Sequence, residues 1–371
     1  MQQNRQFAHQ KLLILLIIVL KFQIEDDHIK FYRLFQQDLE LCTTCFQNQS
    51  KHCKEFFKTI ETNDELELRN LFRVFIPNVR RQISLFKVKN TKTQLIAKYL
   101  AKDKHQLSKL KTQNLNNELL ARLFQNETRL DGVQFCSTNS LSRFVKLFKL
   151  QLNELTIWLY LLLNVQPLLM PFLSERNFSV PQHYAVCGLS IFQQYAGESL
   201  NSFYGTKDFR LKLKIAKQLL EAVLQLTQGF EGFHIYVTDL NADNIVYSVA
   251  QDRLSFVDLD TVLVADSNEM SQQQSGPHKH EYIECMDCFA YSPQDICQRS
   301  SSDINIFAAC QLLREDLKKD RTRGFLQPIP KKYSDLIGLL NQCVDCPESK
   351  CVNRFAAAED LISEFERIIS S

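Results

Sequence analysis

Residues 233–266, FHIYVTDLNADNIVYSVAQDRLSFVDLDTVLVAD, constrain this chain more than any other stretch. Two short β-prone runs, Ile245–Val249 and Leu254–Val257, flank Gln251-Asp252, which reads as the turn of a hairpin. Asp239 precedes the first run, with Asn244 five residues after it, and Asp258 closes the second run. Turns favour Asp and Asn for their own sake, so Asp-x4-Asn alone says little. With a strand pair and a further Asp at the end of the hairpin, the pattern becomes more specific.

This spacing resembles the catalytic core of the protein-kinase superfamily, H-R-D-x-x-x-x-N, a hairpin, then D-F-G. Phosphoryl transfer needs little covalent chemistry from the protein and much positioning and charge neutralisation. The resemblance implies Asp239 as the base that accepts the proton of an attacking hydroxyl. It implies Asn244 and Asp258 as ligands of the metal that bridges nucleotide phosphates, with ATP and Mg or Mn as the cofactors. Phe209–Thr227, an amphipathic run ending near Gly229, precedes this loop as the long buried helix of a kinase large lobe does. Residues 183–195 read as the β-pair that leads into the hinge.

The remaining kinase parts are expected on both sides. Leu71–Ile76 and Ile83–Val88 are β-prone and open a small lobe. Lys87 is the candidate for the lysine that pairs with the nucleotide phosphates, and Lys89 shares its strand face by the period of two. An αC-type helix is expected over Thr93–Leu100, but Lys89 to Lys102 contains no acid, which leaves Asp103 and Glu118 as substitutes for the αC glutamate. The first glycine in the chain is Gly132, so a Gly-rich phosphate loop is absent. Residues 105–165 read as helical, with the stripe Leu141, Phe144, Val145, Phe148, Leu152 and Leu155 as core. Asp303 opens an apolar helix, where it either braces the catalytic loop or only caps.

The chain has 371 residues, enough for two lobes, and a formal charge of +2, which carries no nucleic-acid footprint. Phe is frequent, at 27 residues, and is assigned to core. At the N-terminus Arg5 and Lys11 precede the unbroken apolar run Leu12–Leu20. That pattern fits a signal peptide or a short signal anchor over residues 1–23, with a buried N-terminal helix as the structural alternative. Twelve cysteines fit an oxidising compartment, and C-x-x-C spacing recurs at Cys42/Cys45, Cys285/Cys288 and Cys343/Cys346. Disulfides are expected among Cys42, Cys45, Cys53, Cys285, Cys288, Cys297, Cys343, Cys346 and Cys351, with connectivity left open. Asn48, Asn126 and Asn177 head glycosylation sequons.

The leader, the Cys42…Cys53 cluster, Tyr236-Val-Thr-Asp239…Asn244, Phe256-Val-Asp258…Asp266, the Cys285…Cys297 loop and Arg354-Phe-Ala-Ala-Ala358 together resemble one group. It is the divergent protein kinase domain 2 family of secreted or Golgi kinase-like proteins, the "deleted in autism" branch. The resemblance implies an α+β, two-lobed, protein-kinase-like fold braced by disulfides, with a small mixed lobe and a mainly helical large lobe. The expected boundaries are a Cys-containing extension at 24–64, a small lobe with a helical insertion at 65–195 and a large lobe at 196–371. It implies the secretory pathway, Golgi lumen or secretion, a protein substrate or receptor there, no nucleic acid, and membrane contact only through an N-terminal anchor. Three activities stay open. One is a kinase of protein hydroxyls, one a pseudokinase scaffold, and one a small-molecule kinase. The departures from the kinase pattern are Val237-Thr238 for His-Arg, Asn241 for the loop lysine and Leu259-Asp260 for Phe-Gly.

Overall fold

The computed structural model describes residues 27–62, 83–101, 110, 115–126, 132–269, 292–316, 320–346 and 353–371. They fall into two compact units, one of residues up to 112 with 185–192, the other of residues 113–184 with 193 onward. The expected leader, the Leu71–Ile76 run and Cys285, Cys288 and Cys351 lie outside the described residues.

The first unit opens with two helices, α1 (Asp27–Leu41) and α2 (Thr43–Thr59). Phe31, Phe35, Asp38 and Leu41 recur at helical spacing and are the buried face of α1, while Cys45, Phe46, Cys53 and Phe57 form that of α2. The sheet has the order β1-β2-β3-β6-β5, from β1 (Ile60–Thr62), β2 (Ile83–Val88), β3 (Gln94–Tyr99), β6 (Ser190–Gln194) and β5 (His183–Cys187). Phe192 is the centre of an aromatic cluster, edge-on to Phe31, Phe56, Phe57 and Phe86. Such pairs add about 0.5–1.5 kcal/mol each beyond their buried area. That accounts for part of the phenylalanine in the composition. Residues 27–62 are thus the packed layer and first strand of this unit rather than an extension beside it.

Asp38 is buried among these apolar groups and is satisfied by Tyr99 Oη at 2.9 Å and Leu189 N at 2.8 Å. Burial first, and the Asp38 charge second, push the Tyr99 phenol far above its ordinary range. Gly188 (φ 61°) makes the turn, and a Cβ there would collide with Asp38 Oδ2. Cys53 bonds Cys187 across this turn, tying α2 to the end of β5.

The helix expected over Thr93–Leu100 is strand β3. Leu95 and Ala97 are buried and alternate with Gln94, Ile96 and Lys98, the period of a half-buried strand, and they pair with Phe86 and Ser84 of β2. A window of eight residues carries too few apolar positions to separate the two periods.

The second unit begins with α3 (Asn117–Asn126), β4 (Val133–Phe135), α4 (Thr138–Phe148), α5 (Glu154–Leu163) and α6 (Gln166–Glu175). These helices group with the large unit and not with the small-lobe sheet. The stripe Leu141, Phe144, Val145 and Phe148 is core as expected, but the helix stops before Leu152, because Asn153 caps a new one by accepting from Thr156 N. Helix α5 is buried on every face, and the chain bends by 107° into α6. No single helix among the described residues is long and apolar enough to cross a membrane.

After β7 (Glu198–Ser199) comes α7 (Phe209–Gln228), capped by Asp208, which accepts from Leu211 N, and stopped at Gly229 (φ 71°). Its apolar stripe is buried against α9 (Ile304–Arg314) and α11 (Arg354–Ser370). The short α8 (Pro293–Cys297) and α10 (Asp335–Asp345) complete the helices used below. Two small sheets lie in this unit. One has the order β10-β9-β7, with β9 (Ile245–Ser248) and β10 (Arg253–Phe256) as the expected hairpin, in register from Ser248 opposite Arg253 to Ile245 opposite Phe256. The other has the order β4-β11-β8, with β8 (Phe233–Val237) antiparallel and β4 parallel to β11 (Val262–Asp266). Cys136 at the end of β4 bonds Cys297 at the end of α8, and Cys310 bonds Cys343. The fold is α+β, two-lobed, kinase-like and disulfide-braced.

Candidate functional site

Strand β8 delivers the chain to Asp239 through a fixed backbone. Thr238 N and Thr238 Oγ1 both donate to Thr261 O, at 3.2 and 3.1 Å. Asn241 then shapes the loop as an Asx turn, its Oδ1 accepting from Asp243 N at 2.9 Å and Asn244 N at 3.2 Å. Its Nδ2 donates to Asp239 Oδ1 at 2.7 Å. Asn244 Nδ2 donates to Asp239 Oδ2 at 2.9 Å and to Asp239 O at 3.0 Å. Both carboxylate oxygens of Asp239 are therefore aimed by amides from its own loop. The expected pair Asp239 and Asn244 is one hydrogen-bonded unit, and Asn241, which stands where kinases keep a lysine, is its third member.

The hairpin returns to the same place. Val257 N donates to Asn244 O at 2.9 Å, so Asp258 begins one residue beyond a bond to the loop. Gln166 Nε2, at the start of α6, donates to Asp258 Oδ1 at 2.6 Å. Leu259 and Asp260 follow as buried residues, and Thr261 turns back to receive Thr238.

Behind the loop, Asn305 of α9 fills the polar groups of β8. Its Oδ1 accepts from Val237 N at 2.8 Å and its Nδ2 donates to Ile235 O at 2.8 Å and Thr227 Oγ1 at 3.0 Å. Asp303, expected to brace or cap, pairs with Arg354 at 2.8 Å in a buried contact and makes no side-chain cap bond to α9. Asn305, two residues later, holds the backbone of the strand that carries the loop. Tyr236 Oη accepts from Ser302 N at 2.8 Å, and burial pushes that phenol up to about 12. Neither Gln166 nor Asn305 belongs to the motif. Their signal in sequence is that each is an amide set in an apolar run, where a buried polar group must find partners.

In the first unit, Lys87 lies on β2 directly opposite Glu61 of β1 and pairs with it at 3.4 Å, both side chains being nearly half exposed. Strand β3 carries Leu95-Ile-Ala-Lys98, with Lys98 on the same sheet face as Lys87. The candidate Glu118 sits in the first turn of α3, and Asp103 lies outside the described residues. Asn48 on α2 and Asn177 (φ 58°) after α6 are exposed. The Asn126 side chain lies outside the described residues.

Cys42 and Cys45 bond each other, as their spacing allows, but Cys343 takes Cys310 rather than its C-x-x-C neighbour. Cys346 is also disulfide-bonded. Cys136, Cys187 and Cys310 were not among the expected set, because each partner is brought from far along the chain.

The sequence model described as the protein-kinase domain of FAM69 matches residues 157–346, just over half of the chain. Divergent protein kinase domain 2A of Homo sapiens, of Xenopus tropicalis and of Mus musculus are each 27% identical to this chain over 221 residues, covering 56% of it. Those alignments cover 51% of each relative, so the chain spans about half the length of the curated relatives it matches. The solved structure of vaccinia related kinase 3 matches at 13% identity and a TM-score of 0.27, over 78% of this chain and 68% of that one.

Proposed function

Because this chain belongs to the divergent protein kinases defined by the protein-kinase domain of FAM69, we propose that it binds ATP with Mg or Mn and transfers a phosphoryl group to a protein hydroxyl. The observation that carries this reading is the carboxylate of Asp239, aimed by two amides, with Asn244 joined to the strand that delivers Asp258. A turn that was only a turn has no physical need for that arrangement.

The donors fit a hard divalent cation. The Asn244 nitrogen is committed to Asp239, which leaves the amide oxygen as the end for a metal, and Asp258 supplies a carboxylate. Among the described residues no group of three or more His, Cys, Asp or Glu forms a cage. Two protein oxygens plus substrate phosphates is how Mg is commonly held. When bound, the cation neutralises charge on the phosphate oxygens. Asp239 orients the attacking hydroxyl and takes its proton, while Asn241 and Asn244 keep both carboxylate oxygens in place. Thr238 and Asn305 hold the backbone on either side of it.

Thermal unfolding of the oxidised protein with ATP and Mg or Mn tests this directly. A ligand that binds only the folded state adds about 2.7 kcal/mol at a hundredfold excess over Kd. The expected result is a metal-dependent rise in Tm that Asp258→Ala abolishes. No shift at millimolar ATP would overturn the reading.

The strand order among the described residues supports Lys98 as a second candidate for the phosphate-pairing lysine, beside Lys87. Kinases carry it on the third strand of the small-lobe sheet; among the described residues the third strand holds Lys98, while Lys87 is on the second and pairs with Glu61. Lys98→Ala is expected to weaken nucleotide binding at least about tenfold, near 1.4 kcal/mol, and Lys87→Ala to leave it unchanged. The reverse ranking in a binding titration would restore Lys87.

One observation favours a second reading, a pseudokinase used as a rigid secreted or Golgi scaffold. Asn241 occupies the loop-lysine position and donates to Asp239, and the sequence before Gly132 has no glycine to cradle phosphates. In either reading the partner is a protein of the secretory pathway or outside the cell. The disulfides support that compartment, as do the expected leader and the exposed sequons at Asn48 and Asn177.

A further inference from the structure

Gln166 is 1% exposed, and its place is fixed twice. Its backbone N–H donates to Asn164 Oδ1 at 3.0 Å, which starts α6, and its Nε2 donates to Asp258 Oδ1 at 2.6 Å. The second bond decides which way round the amide lies, since the opposite orientation would set its oxygen against a carboxylate oxygen. Gln166 Oε1 is consequently on the remaining side, buried and without a hydrogen-bond partner. Buried amide oxygens are rarely left so, and an orphan in a functional site calls for an absent donor or ion.

We propose that Gln166 Oε1 is a ligand of the divalent cation held by Asp258, so that one amide both orients the metal-binding carboxylate and completes its coordination. This rests on the reading of Asp258 as a cation ligand. Amide carbonyl oxygens are ordinary ligands for hard cations at the distances carboxylates use. A neutral oxygen here brings no negative charge toward a polyphosphate, whereas a carboxylate in the same place would repel it. The choice of Gln over Glu thus suits a cation that must also accept phosphate oxygens.

Direct Mn²⁺ binding to the full oxidised chain, followed by the electron paramagnetic resonance of free Mn²⁺, tests this without any activity readout. Wild type is expected to bind Mn²⁺, Asp258→Ala to lose it, and Gln166→Leu to bind about 10- to 100-fold more weakly, the range seen when a site's supporting groups are removed. Gln166→Glu sets two carboxylates together, so its Tm without cation should fall below wild type and its rise on adding Mn²⁺ should exceed that of wild type. An amide that merely packs would give neither. Wild-type Mn²⁺ affinity in Gln166→Leu, or equal Mn²⁺ shifts in Gln166→Glu and wild type, would overturn this ligand while leaving Asp258 in its role. Absence of Mn²⁺ binding in wild type and Asp258→Ala alike would overturn the cation site itself.

Discussion

Replacing Arg354 with leucine is expected to destabilise the second unit by about 3–5 kcal/mol, the range for breaking a buried ion pair from one side. Arg354 and Asp303 are each 4% exposed. The guanidinium donates to fixed acceptors, among them Asp303 Oδ2 at 2.8 Å, Cys343 O at 2.8 Å and Val344 O at 3.0 Å. It also lies 5.1 Å from the centre of the Phe307 ring. Two of those acceptors are carbonyls in the last turn of α10, so the side chain of α11 closes a helix end and neutralises an acid at once. Leucine would strand both. The damage should reach the loop, since Asp303 is two residues from Asn305, which holds Val237 and Ile235. Trp158 is the only tryptophan and belongs to this unit, so its fluorescence in a urea titration reports the loss as a lower midpoint. Removing Asp303 as well should cost less than the sum of the single changes, because no buried charge then remains. A loss under about 1 kcal/mol for Arg354→Leu, a surface-pair value, would show the pair to be ornamental.

The second large effect concerns the disulfides, and here the magnitudes decide between them. In the chain-entropy account a cross-link stabilises by the loop it closes in the unfolded chain, so Cys136–Cys297, with a sequence separation of 161, contributes about 5 kcal/mol, and Cys42–Cys45, with a separation of 3, about 2 kcal/mol. The double serine variant at Cys136 and Cys297 should therefore lower the Trp158 unfolding midpoint far more than the variant at Cys42 and Cys45 lowers the midpoint followed by circular dichroism. The first bond also has a local task. It joins the end of β4, which pairs with β11 behind the loop, to α8, so its loss should loosen Ile296 against Tyr236 and Leu263. Equal losses in the two variants would contradict the loop-length argument.

How much of this was legible beforehand depends on the range over which each decision is made. The hairpin after Asn244 and the helix Phe209–Gln228 are local objects. Alternation and helical periodicity over many residues announce them, and their ends carry Asp252, Asp208 and Gly229 to fix the turns and caps. Thr93–Leu100 reads as helix in sequence because eight residues leave the two periods unresolved, and pairing with Ile83–Val88 makes it a strand.

By itself the sequence determined the loop and hairpin that hold Asp239, Asn244 and Asp258, because these are neighbours along the chain and their spacing is their geometry. It also announced that the cysteines form disulfides, and it marked the buried faces of the long helices. Only the tertiary structure decided what stands behind that loop. Gln166 meets Asp258 across a separation of 92 residues, Asn305 meets Val237 across 68, and Arg354 meets Asp303 across 51. Cys136 finds Cys297 across 161. A contact between distant residues is chosen by which helices and strands can bury their apolar faces together, and the polar partner is whatever that packing brings within reach. No local pattern in the chain encodes it.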